Sequence, residues 1–179
     1  MVLVLTGPVH GGKTTFLERA LPHWTGRGLA CAGFLSPAAA GETGGAGYDL
    51  LEIASGRRQP YLRRHGEPGA ERIGPYVFVP AALERARTIL RCDGPSGLLV
   101  VDEVGPLELR GGGLWPALRE ALARPGRTLL VVVRRDILEG FTALVAPRVP
   151  VVFDIDDPAA PGRLDDGLLE KRWSDDRQS

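Results

Sequence analysis

Four short stretches of the chain are apolar on consecutive residues: Val2 to Leu5, Leu98 to Val101, Leu129 to Val133, and Val149 to Phe153 with Pro150 interrupting it. Valine- and leucine-rich runs without polar alternation suit strands covered on both faces, as in a parallel sheet. Leu29 to Leu35 is a fifth candidate, with small residues between its apolar ones. Between the runs the spacing turns helical. Phe16, Leu17, Ala20, Leu21 and Trp24 share one helix face, as do Leu83, Ala86, Ile89 and Leu90. Leu114, Trp115, Leu118, Ala121 and Leu122 form a third face, and Ile137, Leu138, Phe141, Leu144 and Val145 a fourth. Strands alternating with helices predict a doubly wound, mostly parallel α/β sheet, because parallel neighbours need a crossover between them.

Pro37 to Pro75 breaks that rhythm. It is dense in glycine, and Tyr48 to Ile53 and Gln59 to Arg63 alternate polar with apolar positions, which predicts an antiparallel hairpin or flap inserted in the domain. Residues 1–173 read as one domain, followed by a polar tail from Ser174 to Ser179, and there is no internal repeat.

If Val2 to Leu5 is a strand, the glycine-rich stretch "GPVHGGKTT" from Gly7 to Thr15 leaves its C-terminal end. Glycine at this density builds no core but lets backbone bend sharply and approach a ligand. The spacing Gly-x-x-x-x-Gly-Lys-Thr, from Gly7 through Gly12, Lys13 and Thr14, is that of a phosphate cradle between strand and helix. Successive N–H groups from Val9 to Thr14 would form a nest for phosphate oxygens, reinforced by the positive end of the helix starting near Lys13. Lys13 can reach the β- and γ-phosphates, and the Thr14 hydroxyl can take a magnesium ion. The bland alternative is a glycine-rich turn. His10 reads as solvent-facing, with contact to a nucleotide as the alternative.

A cradle calls for an acidic partner at the end of another buried strand. "LLVVDEVGPLEL", Leu98 to Leu109, supplies one. Asp102 ends the apolar run and suits magnesium, directly or through a water. Glu103 is placed to orient or deprotonate a water in front of the γ-phosphate, or else serves only as a hydrogen-bond acceptor. Arg134 and Arg135 come directly after the run Leu129 to Val133, at the sheet edge where ligands bind. One of them, with Arg134 the candidate, would steady charge on the departing phosphoryl group; the alternative is a solvated pair. Asp136 and Glu139 read as a helix start and its solvated face.

Composition narrows the partners. The 179 residues carry 22 basic and 22 acidic side chains, which argues against a sequence-independent grip on nucleic acid or an anionic membrane. Lys13 and Lys171 are the only lysines, every other basic residue being arginine, so the lysine inside the glycine stretch stands out. Cys31 and Cys92 lack metal-ligand spacing and read as packing residues in a reducing cytoplasm. No run approaches the ~20 apolar residues of a membrane span. The N-terminal apolar run lacks a basic leader and a cleavage site, and reads as a strand rather than a signal peptide.

Taken together, "GPVHGGKTT", "GFLSP…GYDLLEIASGRRQPYLRR…GPYVFVPAALERA" and "VVDEVGPLEL" resemble a small P-loop nucleoside-triphosphatase family known from thermophilic prokaryotes and from vertebrates, where it is called cancer-related nucleoside-triphosphatase. The resemblance covers Met1 to about Phe153. It implies magnesium-dependent hydrolysis of ATP, GTP and other nucleoside triphosphates to diphosphate and phosphate. The implied nucleotide contacts are Gly7, Pro8, Val9, His10, Gly11, Gly12, Lys13, Thr14 and Thr15, then Val101, Asp102, Glu103, Val104, Gly105 and Pro106. Lys13, Glu103 and Arg134 would carry catalysis, and Thr14 and Asp102 would hold Mg2+. The chain departs from the family pattern in having His10 where many members carry glycine, and in lacking an Asn-Arg pair after Phe153. The missing pair leaves Arg163 as a bare candidate for a base contact. Two other classes share the cradle: a nucleoside or nucleotide kinase, for which Arg57, Arg58, Arg63 and Arg64 would be lid arginines, and a nucleotide-dependent switch with a protein or nucleic-acid partner.

Overall fold

The apolar runs become strands whose neighbouring side chains point to opposite faces of one sheet. The computed structural model describes residues 1–39, 47–92 and 97–170. Strand β1 (Val2–Gly7) sends Val2 and Val4 into one core and Leu3 and Leu5 into the other. Strands β7 (Leu98–Val104) and β8 (Thr128–Arg134) divide their residues the same way, Leu99 and Val101 against Leu98 and Val100, Val131 and Val133 against Leu130 and Val132. Two-sided burial is why these segments show no polar alternation.

The remaining strands are β2 (Cys31–Leu35), β3 (Gly47–Glu52), β4 (Arg58–Arg63), β5 (Arg72–Ile73), β6 (Tyr76–Phe78) and β9 (Val151–Asp154). They assemble in the order β5-β6-β4-β3-β2-β7-β8-β1-β9. From β2 to β9 all pairings are parallel. Helices α1 (Lys13–Gly26) and α6 (Ala160–Leu169) cover one face, α2 (Pro80–Arg91), α4 (Trp115–Ala123) and α5 (Leu138–Val145) the other, and the short α3 (Pro106–Leu109) comes just after β7. The chain leaves β1 toward β2 through α1, whereas β8 leads through α5 to β9 on the other side of β1. The C-terminal end of β1 therefore lies at a reversal of strand order, where open α/β sheets bind ligands.

The antiparallel insertion is present, but it does not stand off as a flap. Strand β3 pairs antiparallel with β2 through Phe34 with Glu52 and Leu35 with Leu51, and β4, β6 and β5 continue the same sheet edge to edge. Asp49 secures the turn-back, accepting from Arg58 Nε at 2.8 Å and pairing with Arg63. Burial pushes this carboxyl's pKa up, but the two guanidinium hydrogen bonds outweigh it and hold it below the ordinary value.

Helix α6 is not foreshadowed by the sequence pattern, since Pro161, Gly162 and Gly167 break its apolar spacing. Proline is compatible with a first helical turn, and Ala160, Leu164 and Leu168 then pack on the cluster that contains Leu21 and Trp24. The indole N–H of Trp24 donates to Asp165 Oδ1 at 2.6 Å, fixing α6 against α1. No helix among the described residues is long and apolar enough to cross a membrane. The tail from Ser174 lies outside the described residues.

Candidate active site

Two glycines make the loop after β1 possible. Gly7 has φ +151°, and a Cβ there would fall 2.4 Å from Ile155 Cγ2, just past the end of β9. Gly12, with φ +80°, is the residue before helix α1 and lies in the left-handed region. No side chain caps the helix, so its first-turn N–H groups remain available to an anion at the loop. Lys13 is buried and folds back over the loop, donating to the Pro8 carbonyl at 2.6 Å and the Gly7 carbonyl at 3.3 Å. Burial lowers its pKa, opposed by the nearby carboxylates of Glu103 and Asp102. His10 is exposed at φ +60° and sits on the rim beside exposed Val9.

The acids come from the next parallel strand but one. Asp102 is fully enclosed; its Oδ2 accepts the Ser36 N–H at 2.9 Å, and the Ser36 hydroxyl donates to its carbonyl at 3.3 Å. Desolvation raises the Asp102 carboxyl to about 6, with the Ser36 N–H and the Thr14 hydroxyl working against that rise. Thr14 and Asp102 thus meet although 88 positions separate them in the chain. A hydroxyl facing a desolvated carboxylate is a hard-oxygen pair that suits Mg2+, whose charge favours the ionised acid.

Glu103 breaks the strand geometry. Its φ is +72°, and β7 shifts register against β8 between Val101, opposite Val131, and Val104, opposite Val133. Three steps on one strand against two on the other make a β-bulge, which re-aims a side chain that would otherwise alternate away. Glu103 accordingly lines the same cleft as Asp102. Burial raises its carboxyl pKa, tempered by Arg134 and Lys13 and increased by Glu108.

The cleft has a volume of about 440 Å³ and is walled by the loop, Thr14, Asp102, Glu103 and Arg134. That is ample for a nucleotide's phosphates. Arg134 and Arg135 part company at the end of β8. Arg134 turns into the cleft, pairing with Asp136 at 3.2 Å while its buried Nε has no hydrogen-bond partner among the described residues. Arg135 instead stays out of the cleft lining and clamps Asp154 and Asp156, both at 2.7 Å. Of the other sequence candidates, Val101 and Val104 put their side chains into the core, and Gly105 gives its N–H to Glu108. Pro106 opens α3, and Arg163 pairs with Asp157 away from the cleft. Arg58 and Arg63 are engaged by Asp49, and the Arg64 guanidinium lies 5.8 Å from the Tyr76 ring centre.

Sequence reasoning did not find Glu18, Ser36 or Tyr48 on the cleft wall, and offered Arg58, which also lines it, only as a lid arginine of the kinase alternative. Glu18 falls one helical turn after Thr14, a signal that spacing carries. Ser36, Tyr48 and Arg58 arrive only because β2 pairs with β7, β3 with β2 and β4 with β3, which no local pattern announces.

Comparison with known proteins agrees with this architecture. A family model described as NTPase matches residues 2–156. The chain is similar to the cancer-related nucleoside-triphosphatase homolog of Bos taurus, 34% identical over 136 residues that cover 70% of this chain and 71% of the bovine one. It is also similar to nucleoside-triphosphatase THEP1 of Methanothermobacter thermautotrophicus, 28% identical over 156 residues, 85% of this chain and 87% of that one. Among solved structures, the human cancer-related nucleoside triphosphatase superposes with a TM-score of 0.70 at 26% identity over 97% of both chains. THEP1 of Aquifex aeolicus shares the fold, with a TM-score of 0.68 at 18% identity over 97% of this chain and 98% of its own. With a family match that spans both the glycine loop and the Asp102–Glu103 strand end, the chain belongs to this family of P-loop nucleoside-triphosphatases.

Proposed function

We propose that this protein hydrolyses nucleoside 5′-triphosphates to diphosphate and phosphate, at the cleft between the β1 loop and the end of β7. The observation that carries the reading is the convergence of Lys13, Thr14, Asp102, Glu103 and Arg134 on one cavity. Residues 1–173 act as the unit. The loop N–H groups and Lys13 bind the β- and γ-phosphates. Mg2+, held by Thr14 and Asp102, would neutralise charge on the β- and γ-oxygens when bound. Glu103 orients a water opposite the bond to be broken and accepts its proton. The water oxygen then bonds to the γ-phosphorus as the bridge to the β-phosphate breaks, and the diphosphate leaves with the bond's electron pair. Arg134, whose buried Nε has no hydrogen-bond partner among the described residues, steadies the charge on the moving phosphoryl group.

An acceptor-dependent kinase would need free arginines on a closing element. Here Arg58 and Arg63 are committed to Asp49 within the sheet itself. The free thiols Cys31 and Cys92 suit a reducing cytoplasm, burial raising Cys31 to about 11 and leaving it unreactive.

The deciding experiment is phosphate release with magnesium and no acceptor. ATP, GTP, CTP and UTP are expected to turn over within about an order of magnitude of one another, ~1.4 kcal/mol in barrier. Turnover that appears only on adding a nucleoside or monophosphate would give the site to a kinase instead. In the same assay Arg134→Ala should lower kcat by roughly tenfold, about 1.4 kcal/mol, since Asp136 already takes part of the guanidinium's charge. A parental kcat in that variant would remove Arg134 from the mechanism.

A further inference from the structure

Glu108 is a carboxylate placed where carboxylates are costly. It lies on α3 with 1% of its surface exposed, and burial holds its pKa above the ordinary value. Both of its oxygens are taken up by backbone donors. Its Oε2 accepts the Gly105 N–H at 2.8 Å and its Oε1 the Leu114 N–H at 3.0 Å. Capping a four-residue helix does not call for this, since an exposed Ser or Asp at the N-cap would do so without desolvation. The second bond instead reaches past α3 to the residue before α4, closing residues 105 to 114 into a ring.

What the ring braces is the bulge. Gly105 comes directly after Val104, the last residue of β7, and Glu103 precedes it at φ +72°. A non-glycine residue persists in the left-handed region only where its surroundings over-determine it. Val101 before the bulge and Val104 after it, both fully enclosed and in register with β8, hold the strand on either side of Glu103. Beyond Val104 the backbone would be free to swing at Gly105, and to let the C-terminal flank of the bulge relax, were its N–H not held by Glu108. The ring has its own support, for the Gly113 N–H donates to Glu71 Oε2 at 2.7 Å and its carbonyl accepts from Arg87 Nε at 2.9 Å.

We propose that Glu108 is a positioning residue for hydrolysis: by tying the Gly105 amide to the Leu114 amide, it holds Glu103 in the left-handed conformation that turns its carboxylate into the cleft. The role rests on the reading of Glu103 as the group that handles the attacking water. Glu108 touches no substrate and acts only through that neighbour.

Two variants test it by different routes. Glu108→Gln keeps the shape but replaces one acceptor by an amide that cannot accept. Gly113→Ala leaves the carboxylate intact, but a Cβ there falls 2.0 Å from Glu108 Oε1, which displaces it from its donors, and alanine at φ +56° also strains the ring's own backbone. The measurements are the single-turnover rate with magnesium-ATP and the affinity for a magnesium-bound non-hydrolysable ATP analogue, each in the parent and in Glu103→Gln. Both variants should slow turnover by roughly ten- to a hundredfold, the effect of misplacing a catalytic group by about an ångström, with analogue affinity within about twofold of the parent. In the Glu103→Gln background neither should slow it further. Parental rates in whichever variant folds would overturn the proposal. So would affinity falling in step with rate, or a full further loss in the Glu103→Gln background. If Glu103→Gln alone kept the parental rate, the reading of Glu103 would fail on its own evidence and the positioning role with it.

Discussion

Lys13→Ala is expected to abolish measurable turnover and to weaken triphosphate binding far more than binding of the free nucleoside. The ammonium group sits inside the loop, on the Gly7 and Pro8 carbonyls, within the field of Asp102 and Glu103. From there a small extension of its side chain reaches a phosphate in the cradle. Its charge-assisted hydrogen bonds to the phosphates are worth about 1.5–3 kcal/mol, so triphosphate affinity should drop by roughly ten- to a hundredfold. Turnover should fall further, on the order of 10²–10³ or more, because charge on the transferring group grows in the transition state. Titration with a non-hydrolysable triphosphate and with the matching nucleoside, on protein shown to be folded by its melting curve, checks this. Unchanged triphosphate affinity would sink the cradle.

The second large effect separates two adjacent acids. Glu103→Gln preserves size and hydrogen bonding but cannot take a proton, so turnover should fall by ~10²–10⁴, the usual worth of a positioned base. Analogue affinity should stay close to the parent's. The melting temperature should hold or rise, because a partly exposed carboxylate raised in pKa by burial, beside Glu108, is a poor contributor to stability. Asp102→Asn should behave in the opposite sense. It retains an oxygen for the Ser36 N–H but loses the charge opposite Thr14, so more magnesium should be required and the magnesium-ATP complex should loosen. Running a magnesium titration and a single-turnover rate on each variant decides the roles. A Glu103→Gln protein that hydrolyses ATP near the parent rate would make Glu103 structural.

Much of the candidate site was legible in one dimension because a phosphate cradle is a local object. Its donors are consecutive backbone N–H groups, so Gly7, Gly12, Lys13 and Thr14 must stand at fixed spacing, and the spacing alone marks them. The same holds for the parallel core. Strands β1, β7 and β8 are buried on both faces, and two-sided burial writes itself as an unbroken apolar run. Asp102 could be picked out because it ends such a run.

The rest depended on which strands became neighbours. The segment from Pro37 to Pro75 shows its own alternation, but only the pairing of Phe34 and Leu35 with Glu52 and Leu51 makes it part of the main sheet rather than a flap. That pairing also brings Tyr48 and Arg58 to the cleft wall. Arg134 and Arg135 are indistinguishable as letters, and the end of β8 sends one into the cleft and the other to Asp154 and Asp156. The bulge at Glu103 and the burial of Glu108 have no local signature, since both arise from the register of β7 against β8 and from a contact across the turn to α4. Backbone chemistry that uses consecutive residues is determined by the sequence itself. Side-chain convergence from separate strands is decided by sheet order and register, which exist only once the tertiary structure has formed.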